Sequence, residues 1–300
     1  MNSAARRAQT ISQQLARTNF STSTRTMSPY PNAEALAKGP KELQNEGLVL
    51  LTAQTPNGNK PAYYLEELKA GGQISGYTVI PISFDKNEQK SEWFEAVNPN
   101  GRIPALLDNR SGGKKPLRVF ESEAILRYLA TAYDKKHEFH FENLDEATEM
   151  DGWVAFQQGG LGPMQGQANH FHRYAPEKIQ YGVDRYQNET SRLYGVIEDH
   201  LTGKKDGEPK EYLVGGKYSV ADMMCHGWVR VAFWAGVSVE PFPALQKWVE
   251  RIEARPATQA ALKVPSQDML TRMKADPSLE EKMQKTSAAW VQQSNNALKK

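Results

Sequence analysis

Three hundred residues, 39% apolar and 24% charged, are enough for one large or two ordinary globular domains with a full core. A formal net charge of +2 gives no basic excess for a nucleic acid, and no run of eighteen apolar residues provides a membrane-spanning helix, so neither partner is expected. The single cysteine, Cys225, excludes an internal disulfide and a Cys-x-x-Cys pair; any thiol chemistry then uses a sulfur brought by a ligand.

Along the chain, residues 1–45 form an amino-terminal extension with its own character. Arg6, Arg7, Arg17 and Arg25 lie among many Ser and Thr, with no acidic residue before Glu34. That composition is a mitochondrial leader's, with Ile11, Leu15 and Phe20 as a weak apolar face and Arg17-Thr18-Asn19-Phe20-Ser21 as a cleavage region. A disordered basic tail on a cytoplasmic protein has the same composition. Residues 48–51 then predict a buried strand, Thr55-Pro56-Asn57-Gly58 a β-turn, and 62–70 a helix stopped by Gly71-Gly72. A second strand is predicted over 77–82 and a short helix over 91–97. Residues 103–107 and 117–120 predict a hairpin around Asn109-Arg110-Ser111-Gly112-Gly113, and 122–133 a closing helix. The order βαβ then ββα, with a proline before the third strand, is the thioredoxin-like arrangement: a mixed four-stranded sheet over 46–134.

After Asp134-Lys135-Lys136 the strand pattern stops. Helical periodicity over 145–157, 176–201, 220–236 and 242–254 predicts an all-helical domain over 145–265, with Gly159-Gly160-Leu161-Gly162-Pro163 interrupting a helix. Ser219-Val220-Ala221-Asp222 has the form of a capping box. Residues 266–300 read as a peripheral amphipathic tail, with Met269, Leu270, Met273, Leu279, Met283 and Trp290 as docking points. Trp228, Trp234 and Trp248 read as packing residues and Cys225 as a buried small side chain. His137-Glu138-Phe139-His140 has no third ligand nearby, so it reads as a solvated linker and no metal is expected.

Two stretches carry chemistry. Arg102-Ile103-Pro104 ends a strand at a residue with no N–H donor, leaving a backbone edge able to pair a peptide. Glu121-Ser122 opens the apolar-periodic helix of Ala124, Ile125, Tyr128 and Leu129, setting two acceptors at a positive helix end. Alone, the first is a structural turn and the second a plain N-cap. Together and in this order they suit the α-amino, α-carboxylate and backbone groups of a γ-glutamyl tripeptide, which makes them a glutathione grip.

These motifs, with Thr55-Pro-Asn57-Gly, Asn98-Pro-Asn-Gly-Arg-Ile-Pro104-Ala-Leu and Ser219-Val-Ala-Asp222, resemble glutathione transferases over about residues 48–265. Gly159-Gly-Leu-Gly-Pro-Met-Gln-Gly-Gln-Ala-Asn-His-Phe171 and Arg255-Pro-Ala are similar to the branch of the fungal nitrogen-regulator prion protein's transferase-like domain and the bacterial nu-class disulfide reductases. No Asn/Gln-rich prion segment is present, so nitrogen regulation is not carried over. The resemblance implies a thioredoxin-like domain beside a helical bundle, glutathione as co-substrate and a homodimer formed through the hairpin and residues 145–157. It implies that Asn57, supported by Thr55, donates hydrogen bonds to the glutathione thiolate, since residues 50–54 hold no Tyr, Ser or Cys. Glu121 would take the γ-glutamyl ammonium, Ser122 its carboxylate, and the Ile103 main chain the cysteinyl unit beside a cis Pro104. Gln89 and Arg102 would approach the glycyl end. Trp153, Phe156, Met164, Gln167, His170, Phe171 and Tyr174 are candidates for a second-substrate pocket. The implied reactions are thiolate attack on a small disulfide, as a reductase, or on an electrophilic carbon, as a detoxifying transferase. A non-catalytic binding or regulatory protein with the same fold is the alternative.

Overall fold

The computed structural model describes residues 30–112 and 114–297; the arginine-rich start with Ile11, Leu15 and Phe20, and also Gly113, lie outside the described residues. Strand β1 (Gly47–Thr52) is apolar from Leu48 to Leu51 because both of its faces are covered. Leu48 and Leu50 join Tyr64, Leu65, Leu106 and Ile125 on one side, while Val49 and Leu51 join Ile80, Phe94 and Leu107 on the other. β2 (Thr78–Pro81) runs parallel to β1, β3 (Ala105–Asn109) antiparallel to it, and β4 (Leu117–Phe120) antiparallel to β3, in the order β2-β1-β3-β4. This is the mixed thioredoxin-like sheet that the sequence predicts. β3 opens at Ala105 rather than 103, since Pro104 brings no donor to the ladder.

Two corrections concern this domain. Thr55-Pro56-Asn57-Gly58 is not a β-turn but the start of α1 (Pro56–Ala70), with Thr55 as N-cap accepting from the Gly58 N–H at 3.0 Å and Pro56 at the first helical position. The extension also ends earlier than residue 45. Leu36 and Leu43 are buried in the second cluster with Val49 and Phe94, so the residues just before β1 are part of the fold. Helices α2 (Glu92–Val97) and α3 (Ser122–Ala132) complete the domain.

The helical domain contains α4 (Leu144–Phe156), α5 (Gly162–Asn169), α6 (Gln180–Leu201), α7 (Val220–Val229), α8 (Pro243–Glu253) and α9 (Pro256–Ala261). The glycine-rich stretch does not break its helix. Residues Gln157–Leu161 and His170–Tyr174 widen into π-turns, and the Gly162 N–H reaches the Gln157 carbonyl five residues back, so the chain stays helical through Pro163. Nor is the linker solvated. Asp134 accepts from the Phe139 N–H at 2.9 Å, the Glu138 N–H at 3.0 Å and the Tyr64 hydroxyl at 3.0 Å, while His140 Nδ1 meets it at 2.9 Å.

The tail is docked rather than peripheral. Helices α10 (Met269–Ala275) and α11 (Ser278–Ala297) follow a turn in which Asp268 pairs with Arg230 at 2.9 Å. Met273 is buried, and Met269, Leu270, Leu279 and Met283 are half-buried; the Trp290 side chain lies outside the described residues. Arg173 holds Glu280 of α11 at 2.8 Å.

Candidate functional site

A cavity of about 550 Å³ opens where the two domains meet. The thioredoxin-like side supplies Thr55, Asn57, Gln89, Arg102, Ile103, Pro104, Glu121 and Ser122 to its wall. All eight residues singled out for a glutathione grip are therefore brought together, although they are spread along the chain from Thr55 to Ser122.

Asn57 sits at the second position of α1. Its Oδ1 accepts from the Trp228 indole N–H at 3.0 Å, a bond that spans the two domains. An indole N–H is only a donor, so it fixes which end of the amide faces it. The NH₂ group is thereby turned from Trp228; Asn57 lines the cavity at the positive end of α1, where Pro56 has no N–H and the Gly58 N–H is taken by Thr55. Thr55 uses its oxygen as the cap acceptor, which keeps its hydroxyl hydrogen available as a donor. Burial and the Asp222 carboxylate push the Cys225 thiol well up, and the side chain is fully enclosed, so this chain offers no sulfur nucleophile of its own.

Glu121 has φ 69° and ψ 126°, a sparsely populated conformation for a residue with a side chain. Its carboxylate makes no cap bond; Oε1 accepts instead from Asn100 Nδ2 at 3.1 Å, on the cavity wall. Strain of about 1–3 kcal/mol here persists only because the surrounding structure holds it. Ser122 is buried at the first position of α3, where its Oγ accepts from Lys60 Nζ at 3.2 Å. Lys60 also donates to Gln157 Oε1 at 2.6 Å. It is fully buried, and burial pulls its pKa down to about 7, against the attraction of the Glu121 and Glu123 carboxylates. The Ile103–Pro104 peptide is cis. Gln89 is buried, its Nε2 donating to Asn87 Oδ1 at 2.6 Å and its Oε1 meeting no partner among the described residues. Arg102 stands exposed at the rim.

The helical side contributes Gln157, Gly162, Gly166, Gln167, Tyr174 and Trp228, and α11 adds Ser287 and Val291. At Gly162 a Cβ would stand 2.4 Å from Gln157 Nε2, so a side chain there would displace the end of Gln157, the group held by Lys60. Of the seven second-pocket candidates, Gln167 and Tyr174 reach the cavity. Trp153, Phe156 and Met164 pack on the helical core instead, Phe171 stacks on Tyr186 at 5.4 Å, and His170 meets Phe171 edge-on. Positions 158, 162, 163, 166 and 167 follow one another at helical spacing along the cavity wall. Tyr174 accepts from the Trp234 indole, and burial raises its hydroxyl pKa against bonds with Trp234 and Ser287.

Sequence reasoning missed Lys60, Gln157 and Trp228, and placed the tail outside the site. Lys60 carried a visible signal, a lone cation leading into the apolar helical run Pro61-Ala62-Tyr63-Tyr64-Leu65. Trp228 carried none, because only the docking of α7 on α1 brings it to Asn57.

The sequence matches the family patterns described as Glutathione S-transferase, N-terminal domain, over residues 49–131, and Glutathione S-transferase, C-terminal domain, over 163–256. The disulfide-bond oxidoreductase YfcG of Escherichia coli is 39% identical, across 71% of this chain and 93% of that protein. The transcriptional regulator URE2 of Saccharomyces cerevisiae is 31% identical, across 73% of this chain and 68% of that protein. A solved glutathione transferase homolog from Lodderomyces elongisporus, with two GSH per subunit, superposes with a TM-score of 0.66 at 39% identity, across 74% of this chain and all of that one.

Proposed function

The chain belongs to the glutathione S-transferase family, and from that premise we propose that it binds glutathione and uses its thiolate to reduce small disulfides. The observation that carries this reading is the Asn57 amide, held by Trp228 with its donors on the wall of a cavity that also contains Glu121, Ser122 and Ile103. Glutathione lies with its γ-glutamyl end at Glu121 and Ser122 and its sulfur at Asn57 and Thr55. Hydrogen bonds to the charged form lower the thiol pKa, and a depression of ~1–2 units raises the thiolate fraction several-fold at neutral pH.

The thiolate then attacks one sulfur of the substrate disulfide. A new S–S bond forms to glutathione, the old one breaks, and the second sulfur leaves as a thiolate that takes a proton from water. A second glutathione thiolate attacks the mixed disulfide, releasing the other substrate thiol and glutathione disulfide. Two glutathiones are oxidised for each disulfide reduced. The likeness to a disulfide-bond oxidoreductase over 93% of its length favours this reaction over conjugation at carbon.

The test compares glutathione-dependent reduction of hydroxyethyl disulfide with conjugation of a halogenated aromatic. Disulfide turnover is expected to dominate, and Asn57→Ala is expected to lower it by about 100-fold while S-hexylglutathione still binds. Unchanged turnover in that variant removes Asn57 from the mechanism; no reduction by the wild type removes the reading itself.

A further inference from the structure

A buried charge with neutral hydrogen-bond partners lies just behind this site. Lys60 is fully enclosed, yet its two hydrogen-bond partners, Ser122 Oγ at 3.2 Å and Gln157 Oε1 at 2.6 Å, are both neutral. A lysine is almost never fully buried unless it is paired, and an uncompensated ammonium in a protein interior is costly. The site is also next to the positive start of α3, which favours an anion and not a second cation. The two partners share one property: both line the cavity, and Lys60 does not. Because Ser122 Oγ accepts from Lys60, its hydroxyl hydrogen is left to donate elsewhere, and Gln157, held by its oxygen, likewise keeps its NH₂ for other acceptors.

We infer that Lys60 is a positioning residue for the anionic end of the ligand: its ammonium orients Ser122 and Gln157 as donors toward the γ-glutamyl carboxylate, whose charge completes the buried cation and draws a proton onto it. The inference rests on the glutathione reading of the cavity and adds to it a proton-linked recognition device. The titratable groups facing Lys60 are Glu121 and Glu123 from the start of α3 and Cys225 from α7; Ser122 and Gln157 carry no proton to exchange. With the lysine's pKa down at about 7 before binding, an anion beyond Ser122 shifts it upward, so the complex holds a proton that the free protein has partly released. Affinity is then highest below pH 7 and falls as the pH rises through the free protein's value.

The test is calorimetric titration with S-hexylglutathione, whose capped sulfur has no proton to lose, in buffers of different ionisation enthalpy. The wild type is expected to take up about half a proton at pH 7.5 and to bind about fivefold more weakly at pH 8 than at pH 6. Lys60→Met is expected to bind more weakly at pH 6 and with no uptake. Binding by the wild type without proton uptake overturns the inference and leaves the proposed function standing, a result that needs no variant to fold. Wild-type affinity and uptake in Lys60→Met overturn it too; no heat with the wild type at any pH overturns both readings.

Discussion

Asp222 and Lys60 are both completely buried ionisable residues, and their surroundings could hardly differ more. Asp222, at the centre of the helical domain, accepts from the Trp248 indole at 2.8 Å, the Leu213 N–H at 3.0 Å and both the N–H and hydroxyl of Ser219 at 2.9 and 3.2 Å. Every donor around it is used. Lys60, at the seam between domains, has neutral partners that both continue into the cavity. A buried charge fully satisfied by its own domain holds structure together. A buried charge whose hydrogen-bond partners are neutral and line a cavity is one on which a bound anion would act.

That contrast is broken most forcefully at Asp222. Asp222→Ala leaves three backbone and indole N–H donors enclosed without an acceptor, and the expected loss is about 3–5 kcal/mol in urea unfolding. A loss under about 1 kcal/mol would mean that the polar centre of the helical domain is not structural. At Glu121 the expectation reverses. Its carboxylate makes no cap bond, so Glu121→Ala should leave stability within about 0.5 kcal/mol and weaken S-hexylglutathione binding by about 10- to 100-fold, the worth of a charge-assisted hydrogen bond. A large fall in melting temperature with affinity intact would assign Glu121 to the fold.

Lys60→Met sharpens the comparison because it should stabilise the ligand-free protein. Removing a buried cation whose hydrogen-bond partners are both neutral is expected to gain about 1–2 kcal/mol at pH 6. The sign of the pH dependence follows from the lowered pKa. Between about pH 7 and 10 the unfolded chain keeps a proton on Lys60 that the folded chain has lost, so the wild type gains stability from this site as pH rises. The advantage of the variant should therefore shrink toward pH 9. Parallel stability curves for the two proteins would mean that Lys60 carries no buried charge.

The fold was legible in the sequence where one physical signal decides each element. Residues 48–51 read as a strand from their apolar run, and Pro104 and Glu121-Ser122, which the structure brings to one cavity, stood out because a proline and a helix start act locally. The failures share a cause as well. Thr55-Pro56-Asn57-Gly58 satisfies both a β-turn and a helix start, and the structure takes the helix, with Gly58 packed where a Cβ would stand 2.1 Å from the Ala53 carbonyl oxygen. Gly159 to Pro163 has the composition of a break, yet the π-turn absorbs it. Trp228 and α11 join the site through contacts more than a hundred residues apart, which no local pattern records.

The finest test concerns that last contact. Trp228→Phe keeps an aromatic ring against Gly166, whose Cβ position lies 3.5 Å from the indole, but removes the donor that fixes the Asn57 amide. The amide is then free to present its oxygen to the sulfur for part of the time, which repels a thiolate rather than stabilising it. Turnover with glutathione and hydroxyethyl disulfide is expected to fall about threefold to tenfold, with S-hexylglutathione affinity within about twofold. If Trp228 acts through Asn57, the substitution adds nothing once Asn57→Ala is in place. Losses that simply add in the double variant would instead make the indole a packing residue whose hydrogen bond is incidental to catalysis.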